Sequence, residues 1–141
     1  MLAFSVKQPH AGLILLGHKP IEVRTRGPGL LLGHDVVLCS SQEPNETALI
    51  DFAAELAPIV KAHPEAFAFG VTLAVVRIPE WRRVQDEAAD LRAAWVRKFE
   101  PKAALWQIAD VRPIRPFNLA DSGIRANVAP YEVPARLIQY V

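Results

Sequence analysis

Five polar residues flank one short apolar stretch near the start of the chain. Gln8 and His10 precede this stretch, and Lys19, Glu22 and Arg24 follow it. A short buried helix requires none of these polar groups for its packing. Their concentration therefore predicts the floor of a binding pocket, with the apolar stretch as the helix that supports it.

These side chains offer complementary chemistry. A lysine that is partly desolvated has a lowered pKa, so Lys19 is a candidate general base or nucleophile. Glu22 is a candidate proton carrier, or a partner that keeps the lysine charged. Arg24 has a planar fork of donors that suits a phosphate or a carbonyl edge. The side-chain amide of Gln8 can read the edge of a base.

The spacing of the three charged residues leaves two arrangements open. In an extended segment Glu22 and Arg24 point to one face of the strand, whereas Lys19 points to the other. A turn or bulge near Pro20 would bring all three side chains into one cleft. Alternatively, they form a solvated strip of salt bridges on an outer strand, which contributes little to stability.

The elements around these residues follow from the hydrophobic pattern. Residues 2–7 alternate apolar and polar side chains and predict a first strand. Pro9 suits the first turn of a helix that runs through Leu16 and ends at Gly17. This helix is apolar almost all round, so it should be buried. Residues 19–24 are predicted to be extended.

The rest of the chain predicts a mixed α+β domain built round a mostly antiparallel sheet or small barrel. We find no internal repeat and no linker, so residues 1–141 are predicted to form one domain. Asn45 is the predicted N-cap of a helix that Pro58 kinks or splits, and a second helix covers residues 86–99. The predicted later strands are residues 30–32, 36–40, 68–78, 105–111 and 133–140. A proline- and glycine-rich loop at 112–130 lies between the last two.

Composition argues against several broad classes of function. The net charge of +1 argues against binding of nucleic acid through a large basic surface. The longest apolar runs are far shorter than the roughly 20 residues that span a bilayer, and the N-terminus lacks the pattern of a signal peptide. The single cysteine, Cys39, is predicted to be buried and inert, and it fits the cytoplasmic location that we expect. We expect neither a metal nor a cofactor, because the sequence carries no motif for either.

One long motif resembles a known family. The segment FSVKQPHAGLILLGHKPIEVR, followed by RGPGLLLGHDVVL, is similar to the opening of an ASCH domain, a member of the PUA-like superfamily. A later segment, LWQIADVRPIRPF, resembles the late strand of that family and the Arg-Pro loop after it. Residues 42–65 and 80–100 are helical additions to the pattern. The positions that match the family are Gln8, Pro9, Gly17, Lys19, Glu22, Arg24, Arg26 and Gly27.

The resemblance implies a PUA-like, mostly antiparallel β-barrel with a short buried helix after the first strand and with peripheral helices. It also implies a cleft that binds RNA or a nucleotide. Some relatives remove acyl groups from N4-acylated cytidines or cleave RNA. If this protein is an enzyme, we expect a metal-independent hydrolase of one of these types, with Lys19 and Glu22 as catalytic residues. The candidate ligand-binding residues are Gln8, His10, Arg24, Arg26, Trp106 and Arg112.

Three departures from the family pattern bear on the activity. His10 stands where an aromatic residue usually follows Gln-Pro, so base stacking there should be weaker or pH-dependent. Pro20 replaces a frequent threonine and removes a backbone donor and a hydroxyl. Glu22 stands where the deacylating relatives have a threonine, which weakens the deacylase assignment. A third hypothesis, from another class of function, is a regulatory module that binds a protein partner through the helices of residues 42–65 and 80–100.

Overall fold

Two β-sheets and four α-helices make up the described part of the fold. The computed structural model describes residues 1–126 and 130–141. The elements are β1 (Leu2–Val6), α1 (His10–Leu15), β2 (Ile21–Arg24), β3 (Asp35–Ser40), α2 (Glu46–Asp51), α3 (Ala53–Ala62), β4 (Thr72–Arg77), β5 (Trp81–Arg82), α4 (Glu87–Ala94), β6 (Ala104–Gln107), β7 (Ala109–Pro113) and β8 (Tyr131–Glu132). Short 3-10 helices occupy Gly29–Leu31, Pro64–Phe67 and Ala135–Leu137.

The strands form two separate sheets. The larger sheet has five strands in the order β7-β4-β3-β1-β8, and the smaller sheet has three in the order β2-β6-β5. Strands β1 and β3 pair in parallel, whereas the other paired strands run antiparallel. The predicted mixed α+β class is confirmed. The strands within residues 1–126 and 130–141 form these two sheets instead of one closed barrel.

Helix α1 is the short buried helix that the sequence predicts. It begins after Pro9 and ends before Gly17, whose φ of +83° is a conformation that glycine adopts easily. Its apolar side chains join those of β1, β3, β4 and β6 in one core, which includes Phe4, Ile14 and Trp106. This core connects the larger sheet to the smaller one through α1.

Strands β3 and β4 are covered on both faces, which explains their nearly continuous apolar sequences. In β3, Leu38 faces the core shared with α1, whereas Val37 and Cys39 face a second core on the other side of the larger sheet. Burial raises the pKa of the Cys39 thiol to about 12, so the prediction of a buried cysteine is confirmed. A third apolar cluster, which includes Ile21 and Leu105, packs α4 against the smaller sheet.

Three predicted strands are wrong in extent or type. Residues 30–32 do not form a strand, because Pro28 and Gly29 begin a 3-10 turn in which Gly29 has a φ of +56°. The predicted strand at 105–111 divides into β6 and β7, which belong to different sheets. The predicted strand at 133–140 is replaced by the 3-10 helix Ala135–Leu137.

The predicted helices are also divided differently. The break between α2 and α3 falls at Phe52, whose ring packs against Trp95 at a centroid distance of 5.4 Å. Pro58 lies inside α3 and does not split it. The helix predicted at residues 86–99 ends at Ala94, because Trp95 adopts a left-handed conformation with a φ of 55°. Residues 127–129 of the predicted loop lie outside the described residues.

Two kinds of feature are absent from residues 1–126 and 130–141. None of their helices combines the length and the apolar character needed to cross a bilayer. No group of three or more His, Cys, Asp or Glu side chains in the same residues could hold a metal ion.

Candidate functional site

A tight turn after α1 brings Lys19 into the interior. The backbone N–H groups of His18 and Lys19 both donate to the carbonyl of Leu13, at 2.9 and 3.1 Å. The chain therefore folds back over the end of α1, starting at Gly17, before β2 begins. Because Lys19 precedes the strand, strand alternation does not direct its side chain away from Glu22.

The ammonium group of Lys19 is held by two buried acceptors. The residue is only 2 % exposed. Its Nζ lies 3.6 Å from Oε1 of Glu22 and donates to the carbonyl of Ala94 at the C-terminal end of α4, where the helix dipole favours a cation. Burial lowers the pKa of Lys19 to about 8, although the charge of Glu22 acts in the opposite direction. Lys19 is therefore mostly protonated at pH 7 but releases its proton far more easily than an exposed lysine.

Arg24 connects the two sheets at this point. It shares a face of β2 with Glu22, and its Nε donates to Oε2 of that carboxylate at 3.0 Å. Its Nη2 donates to the carbonyl of Ser5 on β1 at 2.7 Å. The guanidinium group lies 5.3 Å from the ring centroid of Trp106. The three charged residues therefore meet between β1 and β2, and the arrangement as a solvated strip on an outer strand is excluded.

Glu22 is ionised although it is buried. Burial raises the pKa of Glu22, but the charges of Lys19 and Arg24 outweigh this effect and hold the pKa below its usual range. Its Oε1 also accepts the backbone N–H of Val23 at 3.2 Å. The cluster of Lys19, Glu22 and Arg24 thus contains two cations and one carboxylate, which leaves one positive charge in excess.

A cleft of about 620 Å³ opens over this cluster. Its walls come from β1, β2 and the segment that follows α4. Exposed Lys7 and Lys98 contribute two further cations to the lining, and Glu100 contributes a second carboxylate. The volume lies within the range of small-molecule sites. The other polar residues that line the cleft are Ser5, His10, Thr25, Ser41, Asn45 and Tyr131.

His10 lines the same cleft as a neutral imidazole. It is 6 % exposed, and burial, together with the charge of Lys19, lowers its pKa to about 4. Its Nδ1 is buried and has no hydrogen-bond partner among the described residues. Buried polar atoms are nearly always hydrogen-bonded. The Nδ1 of His10 is therefore an exception, an enclosed acceptor that the described residues leave unsatisfied.

The structure gives Gln8 a structural role. The residue is 2 % exposed, and its Nε2 donates to the carbonyls of Ala66 and Ala68 at 3.0 and 2.9 Å. Its Oε1 accepts the N–H of Gly12 at 2.9 Å. The amide ties α1 to the 3-10 helix at Pro64–Phe67 and is not free to read a base, contrary to the prediction.

Trp106 and Arg26 do not line the cleft. Trp106 is 6 % exposed, packs against Phe4 at a centroid distance of 5.9 Å and lies behind Arg24. Its indole N–H donates to the backbone carbonyl of Arg26 at 2.8 Å, and the side chain of Arg26 is exposed outside the cleft. Trp106 therefore supports Arg24 instead of offering a face to a base.

Arg112 lies away from the cleft, so its predicted place in the site is wrong. It belongs to β7 at the far edge of the larger sheet. Its guanidinium group donates to both carboxylate oxygens of Asp35, at 2.7 and 3.3 Å, and Arg77 donates to the same carboxylate. These hydrogen bonds lower the pKa of Asp35 to about 2. The arginine is part of a surface ion-pair network.

Several cleft residues are not among those predicted from the sequence. The hydroxyls of Ser5 and Tyr131 are 2.6 Å apart, and burial raises the pKa of Tyr131. Ser5 on β1 and Lys7 directly after it carried a signal, because they alternate with the apolar residues of the strand just before Gln8. Tyr131 carried none, since only the pairing of β8 with β1 brings it to the cleft.

Comparison with solved structures identifies the fold. The structure of the ASCH protein from Zymomonas mobilis superposes with a TM-score of 0.59 and 20 % identity, over 98 % of this chain and 95 % of the other. A tyrosine-to-phenylalanine variant of that protein gives a TM-score of 0.59 and 16 % identity, over 98 % of both chains. The chain has the fold of an ASCH domain. A serine-to-alanine variant gives a TM-score of 0.54 and 20 % identity, over 99 % of this chain and 87 % of the other.

The ASCH fold covers nearly the whole chain, including the segments that the opening motif does not reach. No protein-family model matches the sequence, and no curated protein matches it either. The fold shared with the Zymomonas mobilis structures confirms the resemblance seen in the opening motif. In this ASCH fold, α1 and the turn at Gly17 place Lys19 and Glu22 between the two sheets.

Proposed function

We propose that the cleft binds a nucleotide, either free or as a unit of RNA. The observation that supports this most directly is the buried cluster of Lys19, Glu22 and Arg24, which places an excess positive charge at the floor of a cleft of about 620 Å³. A phosphate neutralises such a charge. The resemblance to ASCH domains, whose expected ligands are RNA or nucleotides, supports the same class of ligand.

The lining residues divide into groups suited to different parts of a nucleotide. Lys7 and Lys98 are exposed at the mouth, where they can contact phosphate oxygens. The hydroxyls of Ser5 and Tyr131 suit the polar edges of a base or a ribose. Arg24 has one face on Trp106 and its Nε and Nη2 on protein acceptors, so it acts mainly by its charge.

Titration calorimetry with AMP, CMP, GMP and UMP tests this proposal. We expect binding that weakens with salt, and a smaller salt dependence in Lys7→Gln and Lys98→Gln. Arg92→Gln is the matched control, because Arg92 is exposed on α4 and does not line the cleft. Absence of binding to all four nucleotides and to short RNAs, by a folded protein, would contradict the proposal.

A second candidate function is hydrolysis, favoured by the lowered pKa of Lys19 beside a carboxylate. In the amine form Lys19 would take a proton from water as the water attacks an acyl carbonyl. The C–N bond to N4 of an acylated cytidine would then break, and the proton taken up by Lys19 would return through the Glu22 carboxylate to the departing nitrogen. Ribonuclease activity would use the same base on a ribose hydroxyl.

Incubation with N4-acetylcytidine and short RNAs, followed by chromatography, tests hydrolysis. We expect Lys19→Met to abolish product formation while circular dichroism shows an intact fold. His18→Gln is the control, because His18 is an exposed neighbour in the same turn. If the wild-type protein forms no product from either substrate, hydrolysis is wrong, and the binding proposal is judged by calorimetry alone.

A further inference from the structure

A second cavity of about 360 Å³ adjoins the cleft. It lies between the α2–α3 junction and the segment that follows α4. The residues that line both spaces are His10, Asn45, Val96, Lys98 and Glu100. The two spaces are therefore neighbouring parts of one groove, and a ligand larger than one nucleoside can enter both.

His10 lies where the two spaces meet. The residue is only 6 % exposed, and its enclosed Nδ1 has no hydrogen-bond partner among residues 1–126 and 130–141. Since Nδ1 is enclosed by protein atoms, His10 contributes a neutral side chain to the wall of the junction and no accessible acceptor at that nitrogen. The junction also contains the exposed Lys98, which lines both spaces.

The second cavity differs from the cleft in its chemistry. Its charged lining is balanced, with Arg97 and Lys98 against Asp51 and Glu100. Its wall carries Phe52 and Trp95, two half-buried aromatic side chains. The guanidinium group of Arg97 lies 4.2 Å from the ring centroid of Phe52, and Arg97 donates to the backbone carbonyl of Asp51 at 2.8 Å.

These features favour a flat, uncharged group over a phosphate. Nucleobases stack on aromatic rings and on arginine guanidinium planes, and such stacking tolerates any base. A phosphate would meet two carboxylates in this cavity. It is better placed at the junction, where Lys98 is exposed.

We propose that the second cavity binds the neighbouring base of a dinucleotide unit, with the linking phosphate beside Lys98 at the junction of the two spaces. This inference rests on the proposed function, because it assumes that the cleft holds the first nucleotide. The ligand class is then single-stranded RNA, and the free mononucleotide is only part of it. The aromatic wall belongs to the segments at 42–65 and 80–100, which are additions to the opening motif.

Calorimetry with matched mono- and dinucleotides tests the inference. The probes are AMP with ApA, CMP with CpC, GMP with GpG, and UMP with UpU. Each dinucleoside monophosphate has a second base but only one phosphodiester, so tighter binding cannot result from additional charge. For at least one pair we expect the dinucleotide to bind at least about tenfold more tightly, given the usual strength of base–aromatic stacking.

Two variants test whether the second cavity causes the tighter binding of dinucleotides. Phe52→Leu and Arg97→Gln both change the second cavity only. We expect each to bring dinucleotide affinity close to that of the mononucleotide and to leave mononucleotide affinity unchanged. Arg92→Gln removes a charge from α4 outside both spaces and should change neither affinity. If Phe52→Leu does not fold, Arg97→Gln alone decides, since Arg97 is exposed and contributes little to packing.

The outcomes separate the two proposals. A tenfold gain that both cavity variants abolish supports the second binding position. Equal affinities for each pair, with mononucleotide binding that Lys7→Gln weakens, overturn the second position but leave the proposed function standing. If no probe binds, both proposals are wrong.

Discussion

Removal of the Glu22 charge should convert Lys19 into a free amine at neutral pH. The relevant substitution is Glu22→Gln, which keeps the shape and a hydrogen-bonding oxygen. Burial is the main cause of the lowered pKa of Lys19, which is about 8, and the Glu22 carboxylate at 3.6 Å is what limits the decrease. Without that carboxylate, the desolvated ammonium retains only the carbonyl of Ala94 as an acceptor.

The size of the effect follows from the distance. Two unit charges 3.6 Å apart interact with about 4–5 kcal/mol at an effective dielectric constant of about 20. Loss of this attraction lowers the proton affinity of Lys19 by about three orders of magnitude. The positive charge of Arg24 acts in the same direction. Lys19 should then titrate below pH 7 in Glu22→Gln.

Side-chain NMR measures this titration directly. The chain has five lysines, so the Cε–Hε signals of an isotopically labelled sample are few, and the Lys19→Met spectrum assigns the signal of interest. Glu65→Gln, on the exposed surface, is the matched control. Wild-type Lys19 should titrate near pH 8, with Glu65→Gln unchanged and Glu22→Gln shifted to lower pH. A Lys19 signal that titrates near pH 10, or one that Glu22→Gln leaves in place, would refute the reasoning.

The same pKa has a consequence for stability. Below about pH 8 both the folded and the unfolded protein hold the Lys19 proton. Between that pH and the ordinary pKa of 10.5, the unfolded state binds more protons, so the contribution of Lys19 to the free energy of unfolding rises with pH. The accumulated change is about 3 kcal/mol. Urea unfolding of wild type and Lys19→Met between about pH 8 and pH 10.5 isolates the contribution of Lys19, because the other groups titrate equally in both proteins.

Three further substitutions test the structural assignments. Gln8→Ala should destabilise the protein by about 2–4 kcal/mol, because it leaves one buried donor and two backbone carbonyls without their partner; unchanged urea stability would return Gln8 to the list of ligand-reading residues. Gly12→Ala should lower the free energy of unfolding by about 1–3 kcal/mol, since a Cβ there would lie 2.6 Å from the ring of Phe67 and 2.7 Å from a backbone carbonyl; an unchanged thermal midpoint would contradict that packing. Asp90→Asn should lower the free energy of unfolding by about 2 kcal/mol at pH 7, because it weakens the bidentate pair with Arg82, at 2.8 and 3.0 Å. The pKa of Asp90 is lowered to about 2, so the difference from wild type should disappear as the pH falls from about 4 to about 2, and a difference that persists at pH 2 would show that the charge is not the cause.

Local signals were sufficient to predict where Lys19, Glu22 and Arg24 lie relative to α1 and β2. Pro9, the apolar run and Gly17 specify α1 within a few residues, and the turn at Gly17 then determines where Lys19 enters the interior. Glu22 and Arg24 share a face because they are two apart in a strand. Each of these predictions depends on residues close in sequence, for which propensity and periodicity are reliable.

The predictions that the structure does not support fail because of contacts between residues far apart in sequence. Gln8 looked free to read a ligand, but its amide is bonded to the carbonyls of Ala66 and Ala68, about 60 residues away. Arg112 looked available for phosphate, but Asp35, 77 residues away, binds it. Tyr131 reaches the cleft only through strand pairing near the end of the chain. Competition for a polar side chain by distant groups leaves no local pattern in a single sequence.

The composition of the buried cluster supports the proposed ligand site over a purely structural ion pair. A structural pair needs one charge of each sign, and each additional buried charge makes folding less favourable. Here the Glu22 carboxylate already has Arg24 at 3.0 Å, yet Lys19 is also buried beside it with a lowered pKa. An uncharged side chain at position 19 would avoid this desolvation. An anion from outside the protein would instead balance the excess charge, and the cleft above the cluster is the route by which it can enter.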